Sequence, residues 1–288
     1  MEEFQRPKTR IQWLLGNNCN YHCSYCHQMF HIGDKPFPND ELVLEVCQDL
    51  IAHYDELGRD VVFEYIGGEP TLLESLPYVG ERLHNHPVDM VLKTNGSASM
   101  EWWQRARRYL SKVVISVHRE YCDLDHIYKV IKFLQEDNIT PVDLEVLVPV
   151  THTDESWNWG INTLKDIRNR FGLGMLQMLY SNFGRGSNMY FPYSQKKWDQ
   201  YVSLGGFQPT PSKDDGLTRL PPQYTGKTCY AGIDTLAIDS DGNIWRGWCN
   251  QGGKIGNIFE MPIFWPKDPI TCNKEFCTNG FDHQARKD

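Results

Sequence analysis

The chain has 288 residues, and 29 Lys+Arg against 37 Asp+Glu give a formal net charge of −8. With 40% hydrophobic and 12% aromatic residues it can bury a sizeable core, which excludes a disordered or fibrous chain. The acidic balance argues against non-specific binding to nucleic acid or to an anionic membrane surface, and no apolar run approaches the ~18 residues of a spanning helix. The opening MEEFQRPKTR lacks the apolar stretch of a signal peptide, so the expected compartment is the cytoplasm.

Apolar segments of strand length at 11–16, 61–67, 89–96, 113–118, 143–150 and 175–182 predict six mostly buried strands. Segments with helical spacing alternate with them at 39–58, 74–85, 99–112, 124–138 and 155–172, the first with Asn39 placed as its cap. Regular βα alternation implies parallel strands joined by right-handed crossovers, so the fold class is α/β, a partial (β/α)6 TIM-like barrel or wide curved sheet. In such sheets ligands sit at the C-terminal strand ends.

After Gly186 the pattern changes. Residues 187–226 read as a loop-rich connection, dense in Pro, Gly, Ser and Asp from about Gly205. Residues 227–288 read as a small second domain beyond a first one spanning 1–186. Alternation at Leu236, Ile238, Ile244 and Trp248 around Asp241-Gly242 predicts a hairpin there.

Nine cysteines without a secretion signal suggest reduced thiols for metal or redox work. Three of them, Cys19, Cys23 and Cys26, follow the first strand with C-x3-C-x2-C spacing. Soft thiolates on one loop suit zinc, completed by His22 or His27, or an iron–sulfur cluster with one iron left open. The second strand runs into Gly67-Gly68-Glu69-Pro70, where two glycines permit close backbone approach and a carboxylate follows. Both features lie at the C-terminal ends of adjacent predicted strands and face one mouth of the sheet.

This pairing of C-x3-C-x2-C with GGEP resembles the radical S-adenosylmethionine superfamily. The resemblance implies a [4Fe-4S] cluster on Cys19, Cys23 and Cys26, with S-adenosyl-L-methionine chelating its fourth iron. It also implies that Gly67, Gly68, Glu69 and Pro70 receive the methionine amino group, and that Tyr25 lies near the adenine. Thr94-Asn95-Gly96 is similar to the family's TNG, Ser116 stands where members contact the ribose or the methionine carboxylate, and Phe183-Gly184-Arg185-Gly186 is similar to the segment approaching adenine. For Asn95 and Ser116, simple strand-end hydrogen bonding is the plain alternative. Many relatives with an auxiliary cluster show Ser-x-Asp on the fourth strand, whereas this chain has Ser116-Val117-His118.

Cys229, Cys249, Cys272 and Cys277 form a second set, separated by 19, 22 and 4 residues. Four thiolates suit zinc or a complete [4Fe-4S] cluster. A Cys, a hairpin with a glycine before a second Cys, and a closing Cys pair resemble the Twitch appendage, the half-sized relative of the SPASM domain. That resemblance implies one auxiliary [4Fe-4S] cluster in a β-hairpin-plus-helix domain, carried by a C-terminal segment expected to cover the barrel mouth. Cys47 reads as a buried helix thiol and Cys122 as isolated. His118, His152 and Arg185 are catalytic candidates set against ordinary loop roles, Trp245 and Trp248 read as packing, and Arg105, Arg107 and Arg108 as a solvated helix face.

The resemblance further implies reductive cleavage of S-adenosylmethionine to a 5′-deoxyadenosyl radical that abstracts a substrate hydrogen. The electron comes from a donor such as flavodoxin or ferredoxin, and the auxiliary cluster accepts an electron from the oxidised substrate. Peptide-modifying members often carry an N-terminal leader-binding domain, and only 18 residues precede Cys19. The expected substrate is therefore a small molecule such as a sugar or cyclitol. A peptide, an RNA or nucleobase, and a non-catalytic zinc or electron-transfer protein are the alternatives.

Overall fold

A computed structural model describes residues 6–136, 142–179, 193–206, 223–260, 262–275, 277 and 280–288. All six expected strands and five expected helices form, in the order β1 (Lys8–Leu14), α1 (Asp40–Glu56), β2 (Asp60–Ile66), α2 (Leu76–Leu83), β3 (Val88–Thr94), α3 (Met100–Ala106), β4 (Lys112–Ser116), α4 (Leu124–Glu136), β5 (Asp143–Val150), α5 (Asp154–Phe171) and β6 (Met175–Met178). The Asn39 side chain accepts the Leu42 N–H at 2.8 Å and so starts α1 as its sequence suggested. Thr153 caps α5, and Gly172 ends it in the left-handed conformation.

Strands β1 to β6 are parallel neighbours in chain order. An order without reversal differs from that of a doubly wound sheet, whose strand order turns back at a switch point. Because successive strand residues point to opposite faces, Ile11, Trp13, Phe63, Tyr65, Leu92 and Ile115 all pack into one core with the helices. Each such apolar side chain contributes about 1.5–3 kcal/mol when fully buried. The other face carries the polar residues that matter for the site.

The C-terminal region departs from expectation. The predicted hairpin forms from β8 (Thr235–Ile238) and β9 (Asn243–Trp245), but β8 pairs in parallel with β1. With β10 (Lys254–Asn257) it extends the sheet to nine strands, so the segment is continuous with the first sheet instead of standing apart. Strands β7 (Thr228–Cys229) and β11 (Ile270–Thr271) make a separate small pair. Among the described residues after 222 there is no α-helix, only a short 3-10 turn at Asp282–Gln284. Conversely, helix α6 (Gln195–Ser203) lies inside the stretch expected to be loop, because Trp198 and Tyr201 give it a buried apolar stripe.

Buried ion pairs clasp this C-terminal region to the sheet. Asp234 takes Arg59 at 3.0 Å and Arg286 at 2.8 Å, and Arg59 also donates to Thr9 Oγ1 at 2.7 Å. Tyr54 Oη donates to the Gly232 carbonyl and Trp265 Nε1 to Asp49, each at 2.8 Å, fastening the same region to α1. No helix among the described residues is long and apolar enough to cross a membrane.

Gly160 of α5 sits against β5 so closely that a Cβ would lie 2.1 Å from Val150 Cγ1. Gly160→Ala is therefore expected to destabilise the fold by about 1–3 kcal/mol despite alanine's better helix propensity, measured by urea denaturation.

Candidate active site

The cysteine loop begins where β1 ends, and the glycines after β2 hold it. Leu15 N–H donates to the Ile66 carbonyl at 3.0 Å, then Gly68 N–H to Gly16 at 3.0 Å and Glu69 N–H to Asn18 at 2.8 Å. A Cβ on Gly67 would lie 2.7 Å from Gly16 O, and one on Gly68 only 2.1 Å from Asn18 O. These glycines admit the backbone leading directly into Cys19.

Glu69 is 1% exposed. Its Oε1 accepts from Thr71 N at 3.1 Å, Thr71 Oγ1 at 2.7 Å and Thr94 Oγ1 at 2.6 Å, while Oε2 accepts from Asn95 N at 2.7 Å. Burial pushes the carboxyl up and these hydrogen bonds pull against it. The carboxylate thus ties the exits of β2 and β3 together. Pro70 opens the short 3-10 turn that follows. Asn95 carries the tie onward, its Nδ2 donating to Asn20 Oδ1 at 2.9 Å and lying 4.0 Å from Cys19 Sγ.

The far side of the loop is closed by Asn17, whose side chain donates to Asp34 at 2.7 Å and accepts from Lys35 N at 2.8 Å. Cys19 and Cys26 are half-buried and Cys23 is buried. Burial pushes the Cys19 thiol up, Cys23 to about 12 and Cys26 to about 11, and neighbouring thiols add to the rise at Cys23 and Cys26. His27 Nδ1 accepts from Met29 N–H at 3.2 Å and serves as a cap, and the His22 ring pairs with that of His31. Among the described residues no three His, Cys, Asp or Glu side chains are arranged to hold a single metal ion. Three soft donors on one pinned loop fit the thiolate ligation of an iron–sulfur cluster.

The exit of β4 packs on this loop through His118 and through two residues that the sequence reading missed, Glu120 and Tyr121. Glu120 accepts from Ser24 N at 2.7 Å and Ser24 Oγ at 2.6 Å. Tyr25 Oη and His118 Nδ1 are 3.0 Å apart with their rings stacked at 6.0 Å, and Tyr21 stacks on Tyr121 at 5.5 Å. Burial pushes His118 down to about 4, so the imidazole is neutral near pH 7. Cys122 N–H donates to the His118 carbonyl at 2.9 Å. Ser116 is half-buried at the end of β4. The run of polar and aromatic residues directly after a strand, His118 to Tyr121, was the available signal.

The remaining candidates fare differently. His152 is exposed, and its carbonyl accepts from Lys197. Gly184 and Arg185, with their neighbours Phe183 and Gly186, lie outside the described residues. Arg107 is not on a solvated face but buried, donating to the Leu134 carbonyl at 3.1 Å. Cys47 is buried as expected, with Tyr65 Oη at 3.4 Å.

On the sheet face away from the helices, Glu64 is fully buried and gathers an ionic network that the strand pattern did not announce. Arg10 donates to its Oε1, while Lys93 at 2.9 Å and Gln12 at 3.0 Å hold Oε2. Burial alone would push the Glu64 carboxyl up, but Lys93 and Arg10 outweigh it and hold it below the usual carboxylate range. Gln12 Oε1 in turn accepts from Trp248 Nε1 at 2.7 Å, so Trp248 has a defined partner beyond packing. Trp245 Nε1 donates to Asp239 at 3.0 Å.

The second thiol set also comes together. Cys229 and Cys272 share a small buried cluster with Ala231 and Ala285. Cys229 and Cys277 are close enough to Cys249 to push its thiol up, after burial and Asp282, to about 12. The set lies at the opposite end of the sheet from Cys19: Cys229 precedes β8, which runs parallel to β1, whereas Cys19 follows β1. The expectation that it would cover the mouth is corrected by this register. What reaches the cysteine loop from this region is the hairpin turn, through Asp241 and Lys35 at 2.5 Å.

Residues 13–141 match the family model of the Radical SAM superfamily. Two curated relatives are each named probable GTP 3′,8-cyclase. The protein of Thermococcus kodakarensis is 28% identical over 157 residues, 51% of this chain and 50% of the relative. That of Pyrococcus horikoshii is 30% identical over 97 residues, 34% of this chain and 30% of the relative. The chain thus spans half or less of the length of each. Among solved structures, anSMEcpe with bound AdoMet superposes with a TM-score of 0.57 at 17% identity, covering 88% of this chain and 76% of that one. Streptococcus suis SuiB gives 0.57 at 15%, covering 89% and 64%. At these identities the superpositions show the fold.

Gly68→Ala forces a methyl into the Asn18 backbone, so iron bound after anaerobic reconstitution is expected to fall several-fold while far-ultraviolet circular dichroism is retained. Glu64, held below its usual value of 4.5 in the folded chain, contributes stability that is present above that pH and is lost as pH falls through its folded pKa. Melting curves between pH 6 and 3 should therefore decline less steeply in Glu64→Gln, from a lower starting Tm.

Proposed function

We propose, from the premise that residues 13–141 are a radical SAM domain, that this chain is a radical S-adenosylmethionine enzyme that oxidises a small molecule, with an auxiliary cluster taking up the electron. The observation that carries the reading is the trio Cys19, Cys23 and Cys26 on a loop pinned by Gly67 and Gly68. The AdoMet bound in the similarly folded anSMEcpe supports the same cofactor here.

When bound, the reduced cluster and S-adenosylmethionine supply a 5′-deoxyadenosyl radical, which takes a hydrogen atom from the substrate and leaves as 5′-deoxyadenosine. This chain's residues have the tasks of holding and enclosing. Cys19, Cys23 and Cys26 ligate three irons. Gly67, Gly68, Asn95 and the Glu69 tie fix the loop on which they sit. Tyr25, stacked on neutral His118, would wall the adenine side, and Ser116 at the end of β4 would contact the ribose or the methionine carboxylate. His118 accepts a proton only at acid pH, which suits a packing and hydrogen-bonding role over that of a general base.

Cys229, Cys249, Cys272 and Cys277 would hold the auxiliary [4Fe-4S] cluster. Oxidation of the substrate radical releases one electron to that cluster and one proton to solvent or a nearby base. A second reading, cyclisation of a nucleotide, is favoured by the shared name of the curated relatives; there the cyclised radical would take up one electron and one proton, so the second cluster would donate rather than collect an electron.

Anaerobic reconstitution, reduction with dithionite or a flavodoxin system, and chromatography for 5′-deoxyadenosine test the proposal. The parent chain should form 5′-deoxyadenosine, and Cys19→Ala, Cys23→Ala and Cys26→Ala should each abolish it. Cys249→Ala should retain abortive cleavage. A parent chain that loads only zinc and cleaves no S-adenosylmethionine would overturn the reading, and a cyclised product from added GTP would select the second one.

A further inference from the structure

Beside the second thiol set lies Asp282, 3% exposed, whose carboxylate has one oxygen, Oδ2, without a hydrogen-bond partner. Buried polar oxygens are rarely left so without a reason. Its Oδ1 accepts the Trp248 N–H at 2.8 Å, and the same carboxylate is hydrogen-bonded by Cys249. Gly247 makes this approach possible: a Cβ there would lie 2.6 Å from Asp282 Oδ1 and 4.0 Å from Cys249 Sγ. That is a physical reason for the glycine that the sequence places just before the second cysteine of the set.

A cation stands beside the same residue. Lys287 Nζ donates to the carbonyls of Asp282 and Ala285, the latter at 2.8 Å, and is hydrogen-bonded to Cys277. The Asp282 carbonyl also receives Cys277 Sγ at 3.6 Å. Asp282 therefore contacts two cysteines, with its carboxylate at Cys249 and the Lys287 ammonium at Cys277.

We infer that Asp282 and Lys287 set the reduction potential of the cluster held by Cys229, Cys249, Cys272 and Cys277. This rests on the reading of those cysteines as an auxiliary cluster site. Four thiolates complete the ligand set, so neither residue is needed as a ligand. Reduction adds one negative charge to the cluster. An ammonium against a ligating sulfur stabilises that charge and raises the potential, whereas a buried carboxylate opposes it, and both effects are strengthened by the low local dielectric. Both are positioning residues, acting through the cysteines they touch.

The test uses the full chain carrying Cys19→Ala, Cys23→Ala and Cys26→Ala, so that only the second cluster reports. It is reconstituted anaerobically and titrated with redox dyes, and its reduced state is followed by electron paramagnetic resonance. Lys287→Met should shift the midpoint to more negative potential, Asp282→Asn should shift it to more positive potential, and Lys287→Arg should stay near the parent, with iron content unchanged throughout. Unchanged midpoints in Lys287→Met and Asp282→Asn on an intact cluster would overturn the inference. Loss of iron from Asp282→Asn would make Asp282 a ligand or a scaffold and overturn its tuning role. A parent background with no iron–sulfur signal would defeat the auxiliary-cluster reading and this inference with it, an outcome distinct from unchanged midpoints.

Discussion

Everything at the mouth of the sheet depends on one close contact between backbones. Gly67 and Gly68 lie against residues 16–18 where any side chain would collide, and the resulting hydrogen bonds carry β-sheet pairing past the ends of β1 and β2 into the cysteine loop. Three thiols on a free loop would sample many separations. On this loop their starting point is fixed by the sheet itself. Glu69 extends the constraint sideways, since its four hydrogen bonds bind the exit of β3 to that of β2.

A second level of order is electrostatic. The chain is acidic overall, yet its non-helical sheet face holds a buried carboxylate with two cations on it, and the C-terminal clasp is another buried carboxylate with two guanidiniums. In both, the carboxylate is buried while most of its cations reach solvent: Arg10, Lys93 and Arg286 are partly exposed and only Arg59 is buried. Through Gln12 and Trp248 the Glu64 network reaches the residue next to Cys249, and so forms a continuous polar path from the middle of β1 to the second thiol set.

The strand and helix pattern was legible because each element answers a local rule. Ile11, Trp13, Phe63 and Tyr65 alternate toward one core, and Asn39 and Thr153 cap helices through their own side chains. The cysteine spacings were legible for the same reason, as local chemistry on a short segment. Helix α6 was hidden by its polar composition, in which Trp198 and Tyr201 are the buried anchors. The pairing of Glu120 with Ser24, ninety-six residues apart in the chain, leaves no local trace at either end.

By itself the sequence determined six βα units, a cysteine loop at the first strand's exit, a glycine pair at the second's and a later hairpin, because periodicity, turn chemistry and ligand spacing act over a few residues. Only the tertiary structure decided that the glycines serve the loop's backbone, that the hairpin joins β1 in parallel, and that the two thiol sets lie at opposite ends of the sheet. Strand register and the meeting of charges such as Glu64 with Lys93 or Asp234 with Arg286 are set by packing between segments far apart in the chain, where no local rule applies.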